Sequence, residues 1–513
     1  MKHYSDLEYL KLSKGKKLGY RVASFFTGIP KAIWNFIKKI GNALKGAGLK
    51  VADEAKDIVE TFIKGDWKTK VSYLIMGFGC LARGQILRGL LFLLFEIVFV
   101  GYMVLYGVYW LRMLPSLGTV GPHEEYNEIY DAYTTTYGDN SFKILLYGVL
   151  TIFFIIAFLY TWRVNVKQNK LAEQILRSGK KLKSGKDDLR SLVDDQFHKT
   201  LLALPLTGIL IFTVMPILFM ILVAFTNYDG AHDGYYSNLF TWVGLKNFNT
   251  LFSWSSGGVN YAATFGEILA WTLMWAFFAT FTNYFLGMIV AMMINKKGIR
   301  VKKLWRTILV LTIAIPQFIS LLYVSKMFAK NGIVNGFLMN MGWIDKAIDF
   351  WGETANHGLL ARVTVIVINI WIGIPYLMLI ATGILMNIPA DLYESAKIDG
   401  ANAWQQYTKI TLPYMLFITG PYLLTSFTGN MNNFNVIYLL TGGAPTNAAA
   451  SGAAGSVGFT DLLITWLFKI TMGPESQYYL ASVVGIMVFV VIAVISLIVY
   501  NVLPSIKNEE DFQ

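Results

Sequence analysis

The chain has 513 residues, of which 55% are hydrophobic and only 15% charged. A soluble domain carries about 25% charged residues, and a single aqueous core cannot bury so much apolar surface. These figures exclude a disordered chain, a nucleic-acid-binding module and an ordinary soluble enzyme. The formal net charge of +12 sits in blocks between apolar runs, the pattern of a membrane protein rather than of a polyanion binder. The single cysteine, Cys80, rules out a disulfide within the chain and a cysteine-rich metal site, and the five histidines show no pair at ligand spacing.

The first forty residues are polar and basic with no apolar centre, so no cleavable signal peptide is expected. Within 31–63, Ile33, Phe36, Ile37, Ile40 and Leu44 recur at helical spacing, and Lys31, Lys38, Lys39 and Lys45 occupy the other face. Such a helix either lies on an anionic leaflet or packs on the protein's own surface. The apolar run Val71 to Ala82 is too short to span and is expected to be interfacial or re-entrant.

Eight later runs are long enough to cross: 86–111, 143–162, 201–226, 266–294, 304–327, 359–385, 414–440 and 479–503. Residues 1–70 carry fifteen Lys/Arg, 163–199 carry ten and 296–306 carry six, whereas 112–142 has only Arg112 and 227–262 only Lys246. Eight spans put the three basic segments on one side, which places both termini in the cytoplasm. The fold class expected is an all-α integral membrane protein with about eight transmembrane helices.

Polar groups inside spans face a bundle interior or a wet cavity. In the sixth span Asn369, Gly373 and Tyr376 are spaced to share a helix face, with Trp371 and Pro375 between them. In the seventh, Ser426, Gly429, Asn430 and Asn433 do the same. Amides, hydroxyls and an aromatic ring suit a neutral sugar, and they equally suit helix–helix gluing. Glu96 and Glu267 are isolated acids. They are read as carboxylates facing an arginine, a bundle interior or the interface rather than as a proton relay.

The segment from Ile388 to Pro413 reads as a helix–turn–helix. Pro389 suits a first turn, Asp391 and Glu394 the positive helix end, Gly400 a left-handed stop, and Ala401 to Thr411 a second short helix before Pro413 opens the next span. On physical grounds it is either a docking element or a connector. The set Glu394, Ser395, Ala396, Gly400, Ile410, Leu412 and Pro413 resembles the EAA signature of permease subunits of binding-protein-dependent ABC importers, with Ser395 replacing the more usual alanine. The stretches 315–320, 369–376, 430–434, 439–445 and 460–463 resemble the sugar-permease branch, in particular the larger permease subunit of maltose/maltodextrin importers. The resemblance covers roughly 200–513 and is densest over 304–470.

That resemblance implies a type I ABC importer permease core with a cytoplasmic coupling helix. It divides the chain into a basic N-terminal region (1–70), an additional membrane region (71–200) and a permease region (201–513, with its core at about 266–503 and its coupling loop at 386–413). It implies ATPase coupling through Glu394, Ser395, Ala396, Gly400 and Pro413. It implies sugar binding by Asn369, Ile372, Gly373, Tyr376, Ser426, Asn430, Asn433 and Gln317. Gly429 stands where an aromatic is expected, and the loop at 227–262 lacks the large outer insertion of some maltose permeases. The implied partners are a second homologous permease, two cytoplasmic ATP-binding subunits, an extracytoplasmic sugar-binding protein, membrane lipid and an oligosaccharide of the maltose/maltodextrin kind, with no cofactor, in a bacterial cell membrane. An ion-coupled sugar carrier is the alternative, but the chain shows no internal duplication. Clustered acid, base or metal groups are missing, as is a GxxxxGK[ST] phosphate loop, so no enzymatic activity is expected and ATP hydrolysis falls to another subunit.

Overall fold

The computed structural model describes residues 38–253 apart from 40, 44 and 47, together with 260–296, 298–450 and 456–502. Ile33, Phe36, Ile37, Ile40 and Leu44, which carry the expected N-terminal amphipathic face, lie outside the described residues. Residues 48–64 are helical. The chain divides into two compact units: one of residues 1–119 and 140–219, the other of 120–139 and 220–513.

In the first unit two short helices, α1 (Trp67–Val71) and α2 (Phe78–Leu81), precede α3 (Ile86–Met113). The long helix α4 (Ser141–Arg177), the short α5 (Gly185–Val193) and the start of α6 (Phe197–Val223) complete it. The Val71–Ala82 run does not span. Its irregular backbone is satisfied by buried and half-buried side chains, as an apolar setting requires. Met76 N donates to Glu96 Oε2 at 2.8 Å, Gly77 N to Asn165 Oδ1 at 3.0 Å and Gly79 N to Ser72 Oγ at 2.6 Å. Glu96 is thus a structural acceptor facing the unit's interior. Arg83, its side chain 1% exposed, donates to Asp66 (2.6 Å), Thr69 (2.7 Å), Asn169 (2.8 Å) and the Gly79 carbonyl (3.2 Å). This buried cation ties the α1–α2 turn to α4.

The second unit holds the all-α expectation's one exception among the described residues, an antiparallel hairpin of β1 (His123–Asn127) and β2 (Ala132–Thr136). The rest is helical: α7 (Lys246–Phe252), α8 (Tyr261–Asn295), α9 (Lys302–Ala314), α10 (Gln317–Met327) and α11 (Ile333–Asn340), then α12 (Ala355–Leu385), α13 (Ala390–Ile398), α14 (Ala403–Met431), α15 (Phe434–Leu440), α16 (Leu463–Met472) and α17 (Tyr478–Val502).

Helix α8 is central. Trp271, Trp275, Ala276, Ala279, Thr280, Tyr284, Met288 and Ala291 are all buried on it. Ala279, Asn283, Gly287 and Ala291 recur every fourth residue, a stripe of small and polar side chains that lets another helix approach. That helix is α12: a Cβ on Gly287 would sit 2.6 Å from Leu377 Cβ, and one on Gly373 would sit 2.5 Å from Asn283 Nδ2.

Seven helices among the described residues are long and apolar enough to cross a membrane, and an eighth span is counted only if α9 and α10 are taken together. The continuous span expected over 304–327 is therefore corrected: it is bent by 90°. The cause is Pro316, which has no N–H to donate and drives Ile315 to an extended conformation (φ −80°, ψ 125°). The expected seventh span, 414–440, is also broken, because α14 ends at Met431 and α15 starts at Phe434.

Candidate functional site

The helix–turn–helix at 388–413 forms as the residue pattern requires. Pro389 sits just ahead of α13 (φ −56°, ψ 131°) rather than inside its first turn. Gly400 is left-handed at φ +76°, its N–H donates to Lys397 O at 3.0 Å, and Ala401 N–H donates to Ala396 O at 2.8 Å. These two bonds are the Schellman closure that favours glycine at this position. Asn402 then caps the next helix through reciprocal bonds with Gln405. The expected second short helix is continuous with the span as α14, with Pro413 in the first turn beyond a π-helical stretch at Tyr407–Thr411. Glu394, Ser395 and Gly400 are exposed, and Ala396 is half-buried. Leu392, Ile398 and Trp404 are 47%, 87% and 70% exposed. Three large apolar side chains are thus displayed on one short segment.

The polar stripes are brought together only in part. Asn430 and Asn433 are in contact: Asn433 Nδ2 donates to Asn430 Oδ1 at 3.3 Å. They do not share a helix face. Asn433 lies beyond the end of α14 and caps α15, its Oδ1 accepting from Val436 N at 3.3 Å. Asn430 Nδ2 donates to Thr280 Oγ1 on α8 at 3.0 Å, and Trp275 Nε1 donates to the Asn430 carbonyl at 3.1 Å. Ser426 stands beside the Tyr422 hydroxyl, one turn before it on α14, and Tyr376 of α12 is close enough to Tyr422 for electrostatic contact.

The α12 stripe is split by burial. Asn369 is 6% exposed and its amide has no hydrogen-bond partner among the described residues, whereas Tyr376 is 53% exposed. Gly373 lies between them because Asn283 fills the space a side chain would need. Asn283 donates to Ala279 O at 2.8 Å, and its buried Oδ1 is unpaired among the described residues. Ile372 packs against the Trp271–Trp275 core cluster rather than facing open space. Gln317 is exposed at the start of α10, and its side chain forms no hydrogen bond with the others among the described residues. Sequence reasoning missed Thr280 and Asn283. Their signal was the four-residue spacing of Asn283 with Ala279 and Gly287 in a span otherwise read as uniformly apolar.

Between α15 and α16 a loop is held by a buried ion pair. Asp461, with a fully buried side chain, accepts from Lys469 Nζ at 2.7 Å, Thr465 Oγ1 at 2.9 Å and Gly458 N at 2.7 Å. Burial pushes the Asp461 carboxyl up from its ordinary range, and the Lys469 ammonium pulls the other way. Glu267 also has partners: Arg362 Nη2 at 3.9 Å and Asn447 Nδ2 at 3.2 Å. Arg362 in turn donates to Phe459 O at 2.7 Å and lies 4.7 Å over the Trp271 ring. Both isolated acids of the sequence therefore anchor structure. No group of three or more metal-ligating side chains occurs among the described residues.

Among the described residues the protein is helical and multi-pass, with a displayed two-helix segment at 388–413. The family described as "Binding-protein-dependent transport system inner membrane component" matches residues 283–508. The maltodextrin transport system permease protein MdxF of Bacillus subtilis is 32% identical over 462 residues, which is 88% of this chain and 98% of that protein. The galactooligosaccharides transport system permease protein GanP of the same organism is 35% identical over 376 residues, covering 72% and 85%. A crystal structure of a bacterial ABC transporter involved in the import of the acidic polysaccharide alginate is similar with a TM-score of 0.48 and 22% identity, over 61% of this chain and 97% of that one. The chain belongs to the permease subunits of binding-protein-dependent ABC transport systems. It is a transporter subunit, not an enzyme, and the ion-coupled carrier considered from the sequence is set aside.

Proposed function

We propose that this chain imports oligosaccharides of the maltodextrin class together with a second homologous permease, two copies of a cytoplasmic ATP-binding subunit and an extracytoplasmic sugar-binding protein. The observation that carries the substrate class is the 32% identity with MdxF across nearly the whole of both chains. In this reading the protein lies in a bacterial plasma membrane with both termini inside, an orientation supported by the basic blocks at 1–70, 163–199 and 296–306.

The coupling step follows from the α13–α14 segment. Helix α13 docks in the ATP-binding subunit through Leu392, Ile398 and the small surface at Ser395, Ala396 and Gly400. Glu394 stands near its middle and Pro413 where the lever passes into the span. Because α14 runs unbroken from Ala403 to Met431, displacement of its capped end reaches Asn430 directly. At the other end the sugar meets Tyr376, Ser426, Asn430 and Asn433, with Asn369, Gly373 and Ile372 behind them and Gln317 at the periphery. Amides and hydroxyls satisfy the hydroxyls of a neutral sugar without charge, and tyrosine rings pack on its apolar faces.

Uptake of labelled maltotriose in competition with unlabelled maltodextrins, galactooligosaccharides and a neutral monosaccharide tests the substrate class. Maltodextrins compete most strongly on this account. Stronger competition by galactooligosaccharides would reassign the sugar. Replacing Asn430 and Asn433 together by leucine abolishes uptake while the complex still assembles, and undiminished uptake in that double variant would remove the amides from the site.

A further inference from the structure

We propose that Thr280 is a positioning residue: it terminates an amide relay that fixes the direction in which Asn430 and Asn433 present their amides to the sugar. The inference rests on the reading of Asn430 and Asn433 as substrate contacts and adds a positioning residue to it.

The relay's polarity is set at one end by the backbone. Val436 N–H can only donate, so the atom of Asn433 that it meets at 3.3 Å is the amide oxygen. That turns the Asn433 nitrogen toward Asn430, where it donates to Oδ1 at 3.3 Å. With its oxygen engaged, Asn430 turns its own nitrogen toward α8 and donates to Thr280 Oγ1 at 3.0 Å. Thr280 is 1% exposed and receives the last bond in the series. The Trp275 indole holds the Asn430 carbonyl at 3.1 Å and fixes the end of α14 against the same helix.

The donor count follows. Each amide nitrogen carries two N–H groups, and each has spent one within the relay. Each amide oxygen has two lone pairs and accepts one bond within the relay. Asn430 and Asn433 are half-buried, so what they retain for a ligand is one N–H and one lone pair apiece, in directions that the relay fixes. A site built this way suits sugar hydroxyls, which donate and accept at once. Without Thr280 the Asn430 side chain keeps only the 3.3 Å bond from Asn433 and is held less firmly in this sense.

The test uses the complete importer in proteoliposomes with labelled maltotriose. Thr280→Val raises KM about three- to tenfold, the effect of one displaced hydrogen bond, and the change falls on KM rather than on the maximal rate. Thr280→Ser, which keeps the hydroxyl, restores the KM. Asn433→Asp keeps the cap on α15, because aspartate is an equally good capping residue, but it removes an N–H donor and reverses the relay. It raises KM by a similar factor with an unchanged unfolding midpoint, and it carries the test if Thr280→Val does not assemble. A native KM in Thr280→Val or in Asn433→Asp overturns the relay. So does a serine variant as weak as the valine one. If the Asn430→Leu/Asn433→Leu variant transports normally, the location of the sugar site has failed. If that variant is inactive and Thr280→Val is native-like, the relay alone has failed.

Discussion

Replacing Asp461 by asparagine puts the loop between α15 and α16 to a quantitative test. The carboxylate accepts three bonds, from Lys469, Thr465 and Gly458, and its side chain is fully buried. Asparagine keeps acceptor capacity for the neutral donors but leaves Lys469, whose side chain is only 19% exposed, without its counter-charge. Breaking a buried pair from one side costs about 3–5 kcal/mol, whereas removing both charges is often near neutral. Asp461→Asn and Lys469→Met should therefore each lose about 3 kcal/mol, and the double variant should recover about 2–3 kcal/mol relative to their sum. Denaturant titration of the purified protein in detergent micelles, followed by tryptophan fluorescence, measures this. Trp466 of the adjacent helix α16 is fully buried and reports locally. Neutral single variants, or a double variant as destabilised as the sum of the singles, would refute the argument that the pair pins this loop.

The remaining predictions are closely tied to packing. Gly373→Ala forces Asn283 off its bond to Ala279 and should destabilise by about 1–3 kcal/mol, most of it recovered when Asn283→Ala is added; the same titration reads it, and an unaffected Gly373→Ala would mean α8 and α12 do not approach this closely. Arg83→Met strands Asp66, Thr69 and Asn169 and should cost about 3–5 kcal/mol, seen as low yield of folded protein and early protease cleavage near residues 66–84; wild-type yield and resistance would deny the buried cation its role. Pro316→Ala should allow α9 and α10 to run on as a straighter helix, detected by spin-label distances between positions on either side of residue 315; an unchanged distance would move the origin of the 90° bend away from the proline.

Much of this was legible in the sequence. The spans followed from run length, and the α13 turn followed from glycine chemistry at Gly400. The breaks were harder to see. Hydropathy is blind to a backbone bend, so the Ile315–Pro316 pair disappeared inside an apolar run. Asn433 has the right spacing for a helix face, but an asparagine serves as readily as a cap, and here that role ends the helix. The split between Asn369 and Tyr376 was invisible because a helical stripe says which residues align and not what stands opposite. Only the approach of Asn283 to Gly373 supplies that. Glu96 and Glu267 were readable as structural acids, but their partners, the Met76 amide and the Arg362–Asn447 pair, are distant in sequence.

The most direct test of the account is the rate of maltotriose accumulation by the reconstituted importer carrying Gly400→Pro. Proline cannot adopt φ +76° and has no N–H for Lys397, so the turn behind α13 must open. The account predicts an assembled complex that hydrolyses ATP but accumulates little sugar. Accumulation at the unmodified rate, or accumulation driven by an ion gradient with ATP absent, would contradict it.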